Sequence, residues 1–179
     1  MHRDWTLGVD VGGVIVAIVP GGEDTSFFGG RYLETPAVDG VFEALAALTA
    51  GPFAGRVHIV SKAGPKVAGH TREWMEHHRF FERTGINPAH LHFVRERRDK
   101  APVCRRLGIT HFVDDRPDVL ACLETVEHRF LFRPPETPGW AGLAALLIAS
   151  GDDRVPGETP GRSARLSRSA RRRGSRPAR

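Results

Sequence analysis

Four polar positions in this sequence have the residue types that chemistry on an anion needs: Asp10, Ser61, Lys100, and the doublet Asp114 and Asp115. Each stands where an apolar run stops or a helical pattern starts. Singly they say little, because Asp and Ser after a strand are ordinary turn and cap residues. Together they offer a lone carboxylate, a hydroxyl, an ammonium and an acidic pair. A carboxylate can approach a phosphate dianion only where the surrounding negative charge is neutralised, and a divalent cation with an ammonium group does that. In an open parallel sheet the carboxyl ends of the strands line the crevice where ligands bind, so residues far apart in sequence can converge there.

The elements that would position these residues are legible as alternating periods. Strand-like runs cover Trp5 to Val9, Arg56 to Val60, His90 to Val94, Thr110 to Val113 and His128 to Phe132. Between them, Val38, Val41, Phe42, Leu45 and Leu48 share one helical face that stops at Gly51 and Pro52. Pro65 opens a helix with Val67, Trp74, Met75 and Phe81 as its apolar stripe, closed near Gly85. Asp99 is placed to cap a short helix holding Lys100, Val103 and Leu107, and Gly108 ends it. Pro117 to Leu123 and Trp140 to Ile148 complete the set. The expected fold class is therefore α/β: a Rossmann-like three-layer sandwich around a mainly parallel sheet of about five strands.

The arrangement resembles the haloacid dehalogenase-like superfamily of phosphohydrolases. The resemblance runs from about residue 5 to 132 and rests on four stretches: Leu7-Gly8-Val9-Asp10-Val11-Gly12-Gly13-Val14, Ile59-Val60-Ser61, Lys100, and Phe112-Val113-Asp114-Asp115-Arg116. It implies that Asp10 attacks phosphorus, that Ser61 holds a phosphate oxygen and that Lys100 steadies the charge. It implies a magnesium site made by Asp10, Asp114 and Asp115, with the carbonyl of Gly12 as a further ligand, since magnesium takes hard oxygen donors and keeps several waters. Gly12, Gly13 and Arg98 join Ser61 as the substrate-binding set. The implied substrate is a phosphorylated small molecule or a phosphate-bearing macromolecule.

One departure bears on activity. Active phosphatases of that superfamily usually carry a second aspartate two residues after the nucleophile, as general acid and base, and here the position is Gly12. Losing such catalysis typically costs a factor of about 10²–10⁴. Slow turnover, a group borrowed from elsewhere such as a histidine, and no turnover at all are the outcomes left open; a non-catalytic binder of a phosphorylated ligand or protein is the alternative reading. The spacing leaves no room for a separate cap domain. The lid is then a short flap at about 11–35, where Phe27, Phe28 and Tyr32 either stack on substrate or pack structurally.

Other signals are weaker. The stretch from Leu7 to Gly13 also resembles the phosphate loop of actin-like sugar kinases, but those need two such domains and lack a late Val-Asp-Asp. Arg95, Arg97 and Arg98 either hold a polyanion or form a solvated loop with Glu96 and Asp99. His70, His77 and His78 lack the spacing of a zinc helix, and His90 and His92 share a polar strand face. Cys104 and Cys122 lie on segments that read as apolar helix faces and build no disulfide framework.

The net charge of +5 is located at one end. Residues 151–179 hold nine arginines against three acidic residues, so residues 1–150 are nearly neutral. This division reads as one domain, 1–150, and a disordered tail, 151–179, too poor in apolar side chains to offset the entropy of ordering. Nucleic-acid binding or end processing through the tail is open but not favoured, because no aromatics are interleaved with the arginines. No apolar run suits a membrane span and the first residues lack the pattern of an export signal, so a cytoplasmic protein without a membrane partner is expected; oligomeric state is undetermined.

Overall fold

The computed structural model describes residues 5–18 and 31–151. The tail beyond 151 and the flap residues Phe27 and Phe28 lie outside the described residues. Strands β1 (Leu7–Val9), β2 (Val57–Lys62), β3 (Leu91–Val94), β4 (His111–Asp114) and β5 (His128–Leu131) form one all-parallel sheet in the order β3-β2-β1-β4-β5. Helices α1 (Val41–Ala50), α2 (Pro65–His77), α3 (Phe80–Thr84), α4 (Lys100–Leu107), α5 (Pro117–Cys122) and α6 (Trp140–Gly151) connect and cover it. This is the expected α/β sandwich. The chain builds outward from β1 through β2 to β3 and then returns to place β4 on the other side of β1. The strand order thus reverses beside β1, the place where open α/β sheets form their ligand crevice.

The two faces of the sheet follow the period of two along each strand. Leu7, Val9, Val57, Ile59 and Val113 pack with Leu45, Trp74, Phe80, Trp140 and Leu147 in the larger core, under α1, α2, α3 and α6. Val60 and Phe112 point the other way and pack with Cys104, Leu120 and Leu123 under α4 and α5. Gly8 lies on that second face. A Cβ there would come within 2.4 Å of the Phe112 ring, so the large aromatic of β4 occupies the space that a side chain on β1 would need.

Several local expectations change. Pro65 to Gly85 is two helices rather than one: Arg79 adopts a left-handed conformation (φ 52), and the resulting turn buries Phe80, not Phe81. Asp99 does not cap α4. Its carboxylate accepts from the backbone N–H of Glu96 at 3.1 Å and so closes the tight turn Arg97–Asp99 that precedes Lys100. Cys104 is buried, but Cys122, the last residue of α5, is exposed. No helix among the described residues is long and apolar enough to cross a membrane.

The segment after β1 is a hairpin-like excursion rather than a helix at its described base. Val16 bridges Ala37 in antiparallel fashion, Ala17 N–H donates to the Pro36 carbonyl at 2.9 Å, and Val38 N–H donates to that of Ile15 at 2.8 Å. Tyr32 packs structurally. Its ring stacks on His70 at 3.8 Å between centroids and its hydroxyl donates to Glu73, both on α2.

Candidate functional site

Asp10 is the first residue past β1, Ser61 is the penultimate residue of β2, and Asp114 ends β4. Since β1 lies between β2 and β4, parallel pairing delivers a carboxylate, a hydroxyl and a second carboxylate to the same end of three adjacent strands, with about 4.8 Å between neighbours. Lys100 arrives from the opposite direction as the first residue of α4. All four are buried.

Lys100 Nζ lies 2.7 Å from Asp114 Oδ2 and 2.9 Å from Asp10 Oδ1. The first contact is a hydrogen bond, whereas the second is a close charge contact off the hydrogen-bonding direction that leaves Oδ1 of Asp10 buried without a hydrogen-bond donor. Burial works against the charge on Lys100, but Asp10 and Asp114 outweigh it and hold its pKa above the ordinary value. Asp114 is fully enclosed, with its Oδ1 accepting from Arg116 N–H at 2.9 Å. Burial first, and then the neighbouring Asp10, push its carboxyl up to about 7 against the opposing pull of Lys100. Asp115 is raised for the same two reasons, opposed chiefly by Arg116. The Arg133 guanidinium pins the Asp115 backbone by donating to its carbonyl at 2.8 Å.

Asp10, Asp114 and Asp115 each offer an oxygen within 4.8 Å of the others, a set that can hold a metal ion. Three carboxylates against one ammonium leave excess negative charge in a buried place, which a divalent cation would neutralise, and hard oxygen donors suit magnesium, calcium or manganese rather than a thiophilic metal.

The cleft above this group has a volume of about 490 Å³. Asp10, Gly12, Gly13, Ser61, Lys100 and Asp115 all line it. Gly12 and Gly13 differ sharply. Gly13 has φ 73, and a Cβ on it would meet Asp115 Oδ2 at 2.7 Å, so the position requires glycine. At Gly12 a Cβ would have nothing within 4 Å. Arg98 does not line this cleft but a more open depression beside it with Glu96 and Asp118; Lys62 and Arg97 line both.

Residues outside the expected set also belong to the cleft, among them Lys62, Lys66, Arg116 and Val119. Lys62 and Lys66 stand one and five positions after Ser61, a signal that the sequence carries openly once the end of β2 is known. No histidine lines the cleft, so a borrowed imidazole finds no candidate among the described residues. The histidines gather elsewhere: His58 Nδ1 is 3.1 Å from His92 Nε2, and the rings of His58 and His90 stack at 4.0 Å. Neither a protein-family model nor a curated protein matches the chain, and what it does must be read from this site.

Proposed function

We propose that this protein is a magnesium-dependent phosphohydrolase of the haloacid dehalogenase-like type, working through an aspartyl phosphate on Asp10. The observation that carries the reading is the meeting of Asp10, Asp114 and Asp115 within 4.8 Å, with Lys100 in contact with both Asp10 and Asp114. Asp10, Asp114 and Asp115, with the Gly12 carbonyl, would hold the ion, which supplies charge neutralisation for a phosphate dianion. Lys100 holds the Asp10 carboxylate in place and offsets its charge. Ser61, whose hydroxyl makes no hydrogen bond to another described residue, donates to a phosphate oxygen.

In the first step a carboxylate oxygen of Asp10 bonds to phosphorus as the ester P–O bond breaks, and the departing oxygen takes a proton from solvent. In the second, water attacks the phosphorus of the acyl phosphate, the Asp10–phosphate bond breaks, and inorganic phosphate leaves with Asp10 restored. Because Gly12 can neither donate nor accept a proton, both proton transfers fall to water and turnover is slow.

The test is release of phosphate from an aryl phosphate with magnesium, in parallel with Asp10→Asn. Metal-dependent turnover abolished by Asp10→Asn, with folding retained, is expected. Turnover that survives Asp10→Asn, or that is indifferent to chelation, rules the reading out. The same glycine favours a second reading, a non-catalytic protein that binds a phosphorylated ligand at Ser61 and the metal group; binding without turnover in either protein would select it.

A further inference from the structure

The deep part of the cleft and its rim differ in charge. At the bottom, three carboxylates face one ammonium, and a divalent cation would bring that group to neutrality. The rim then remains cationic. Lys62 and Lys66 are exposed, Arg97 is half-buried, all three line the cleft, and none makes an ion pair among the described residues. Arg116, the other rim cation, is already engaged by Asp118 at 3.2 Å. Among the described residues the carboxylates that line the cleft are those of the metal group, Asp10 and Asp115.

The three cations come from three separate elements. Lys62 ends β2 just after Ser61, and Lys66 lies in the first turn of α2; Arg97 projects from the turn before α4. The start of α2 adds its own unpaired N–H groups to the same wall. Glu96 and Asp118 stand in the neighbouring depression beside Lys62 and Arg97, and Arg97 acts on Asp118 at longer range, but neither carboxylate lines the cleft or forms an ion pair with the three cations. Apolar side chains of Val16, Ala17, Val67 and Val119 lie between and beside these charges, a lining that suits the carbon frame of a small molecule.

Resting on the phosphohydrolase reading, we propose that the substrate is a small molecule with two phosphate groups: one placed at Asp10, and a second held by Lys62, Lys66 and Arg97. The second group is not transferred. It anchors the ligand across a cleft that no cap domain among the described residues encloses, and three partly exposed charge pairs together improve binding by about tenfold or more.

The experiment uses the full chain carrying Asp10→Asn, so that ligands bind without being consumed, with magnesium present. Affinities for fructose 1,6-bisphosphate and fructose 6-phosphate are measured by calorimetry, for that protein and for one that also carries Lys62→Gln, Lys66→Gln and Arg97→Gln. Lys62 and Lys66 are exposed, Arg97 is half-buried, and none makes an ion pair among the described residues, so the fold is expected to persist, which circular dichroism checks. The bisphosphate is expected to bind at least tenfold more tightly, and the triple change to bring the two ligands to equal affinity. Equal affinity before the triple change overturns this proposal and leaves the phosphohydrolase reading standing. Binding of neither ligand overturns both. A 5′-phosphorylated oligonucleotide that binds more tightly than the bisphosphate, with the same dependence on the three cations, assigns the rim to nucleic-acid ends and overturns the small-molecule assignment.

Discussion

Replacing Gly12 with aspartate tests the catalytic reading at the point where the sequence departs from the superfamily it resembles. The structure makes the substitution sterically free: a Cβ at position 12 meets no atom within 4 Å, and the backbone there is not left-handed. Gly13 is its internal control. One residue along, φ is 73 and a Cβ would lie 2.7 Å from Asp115 Oδ2, so Gly13→Asp distorts the metal group while adding the same charge. General acid and base catalysis contributes about 10²–10⁴ in rate, roughly 3–5 kcal/mol of barrier. A carboxyl introduced without supporting hydrogen bonds recovers part of this, about 10- to 100-fold. Its pKa should be raised by the nearby carboxylates, which favours the protonated form that a leaving group needs. The assay is initial phosphate release with magnesium, over pH, for the parent, Gly12→Asp, Gly13→Asp, and Gly12→Asp combined with Asp10→Asn. Acceleration only in Gly12→Asp, lost again with Asp10→Asn, is expected. A folded Gly12→Asp protein that turns over no faster than an active parent would refute the claim that the missing acid limits the rate, as would equal acceleration by Gly13→Asp.

Further outcomes follow from the packing and the buried charges. Lys100→Met leaves Asp10 and Asp114 buried without their counter-charge and should cost about 3–5 kcal/mol in urea unfolding at pH 8. Lys100 restrains the raised Asp114 value of about 7, so without it Asp114 takes up its proton at a higher pH than in the parent, and the loss should shrink as the pH is lowered from above towards about 7; a pH-independent loss would argue against charge as the cause. Gly8→Ala should destabilise by about 1–3 kcal/mol through collision with Phe112, and Phe112→Leu in the same chain should recover part of it. His111, enclosed against Trp5, Phe53 and His128, has its pKa pushed down to about 4, by burial first and by His128 second. The unfolded chain therefore takes up this proton before the folded one does, so this histidine's contribution is fully present above about pH 6.5 and is lost as the pH falls towards 4. His111→Phe should flatten that part of the decline in unfolding midpoint, although His58, also pushed down to about 4 by burial first and by His90 and His92 next, keeps some of it.

The sequence by itself determined the alternation of strands and helices, because burial on a sheet or against a helix imposes periods of two and 3.6 that survive in the order of apolar residues. It also placed Asp10, Ser61, Lys100 and Asp114 at element ends, since a run of Val, Ile and Phe that stops at a polar residue marks the end of a buried strand. What it left undecided depends on which strands are neighbours and which way side chains turn. The break at Arg79 is local, but it is selected by the pocket that receives Phe80, built partly from Phe42 on α1. Asp99 has the right residue type for a helix cap and spends its carboxylate on the preceding turn instead. The separate fates of Gly12 and Gly13 follow from the position of Asp115, about a hundred residues away in sequence, and the gathering of Lys62, Lys66 and Arg97 on one cleft follows from bringing β2, α2 and the turn before α4 together. These are distances between elements brought together by the strand order β3-β2-β1-β4-β5, and no spacing along the chain encodes them.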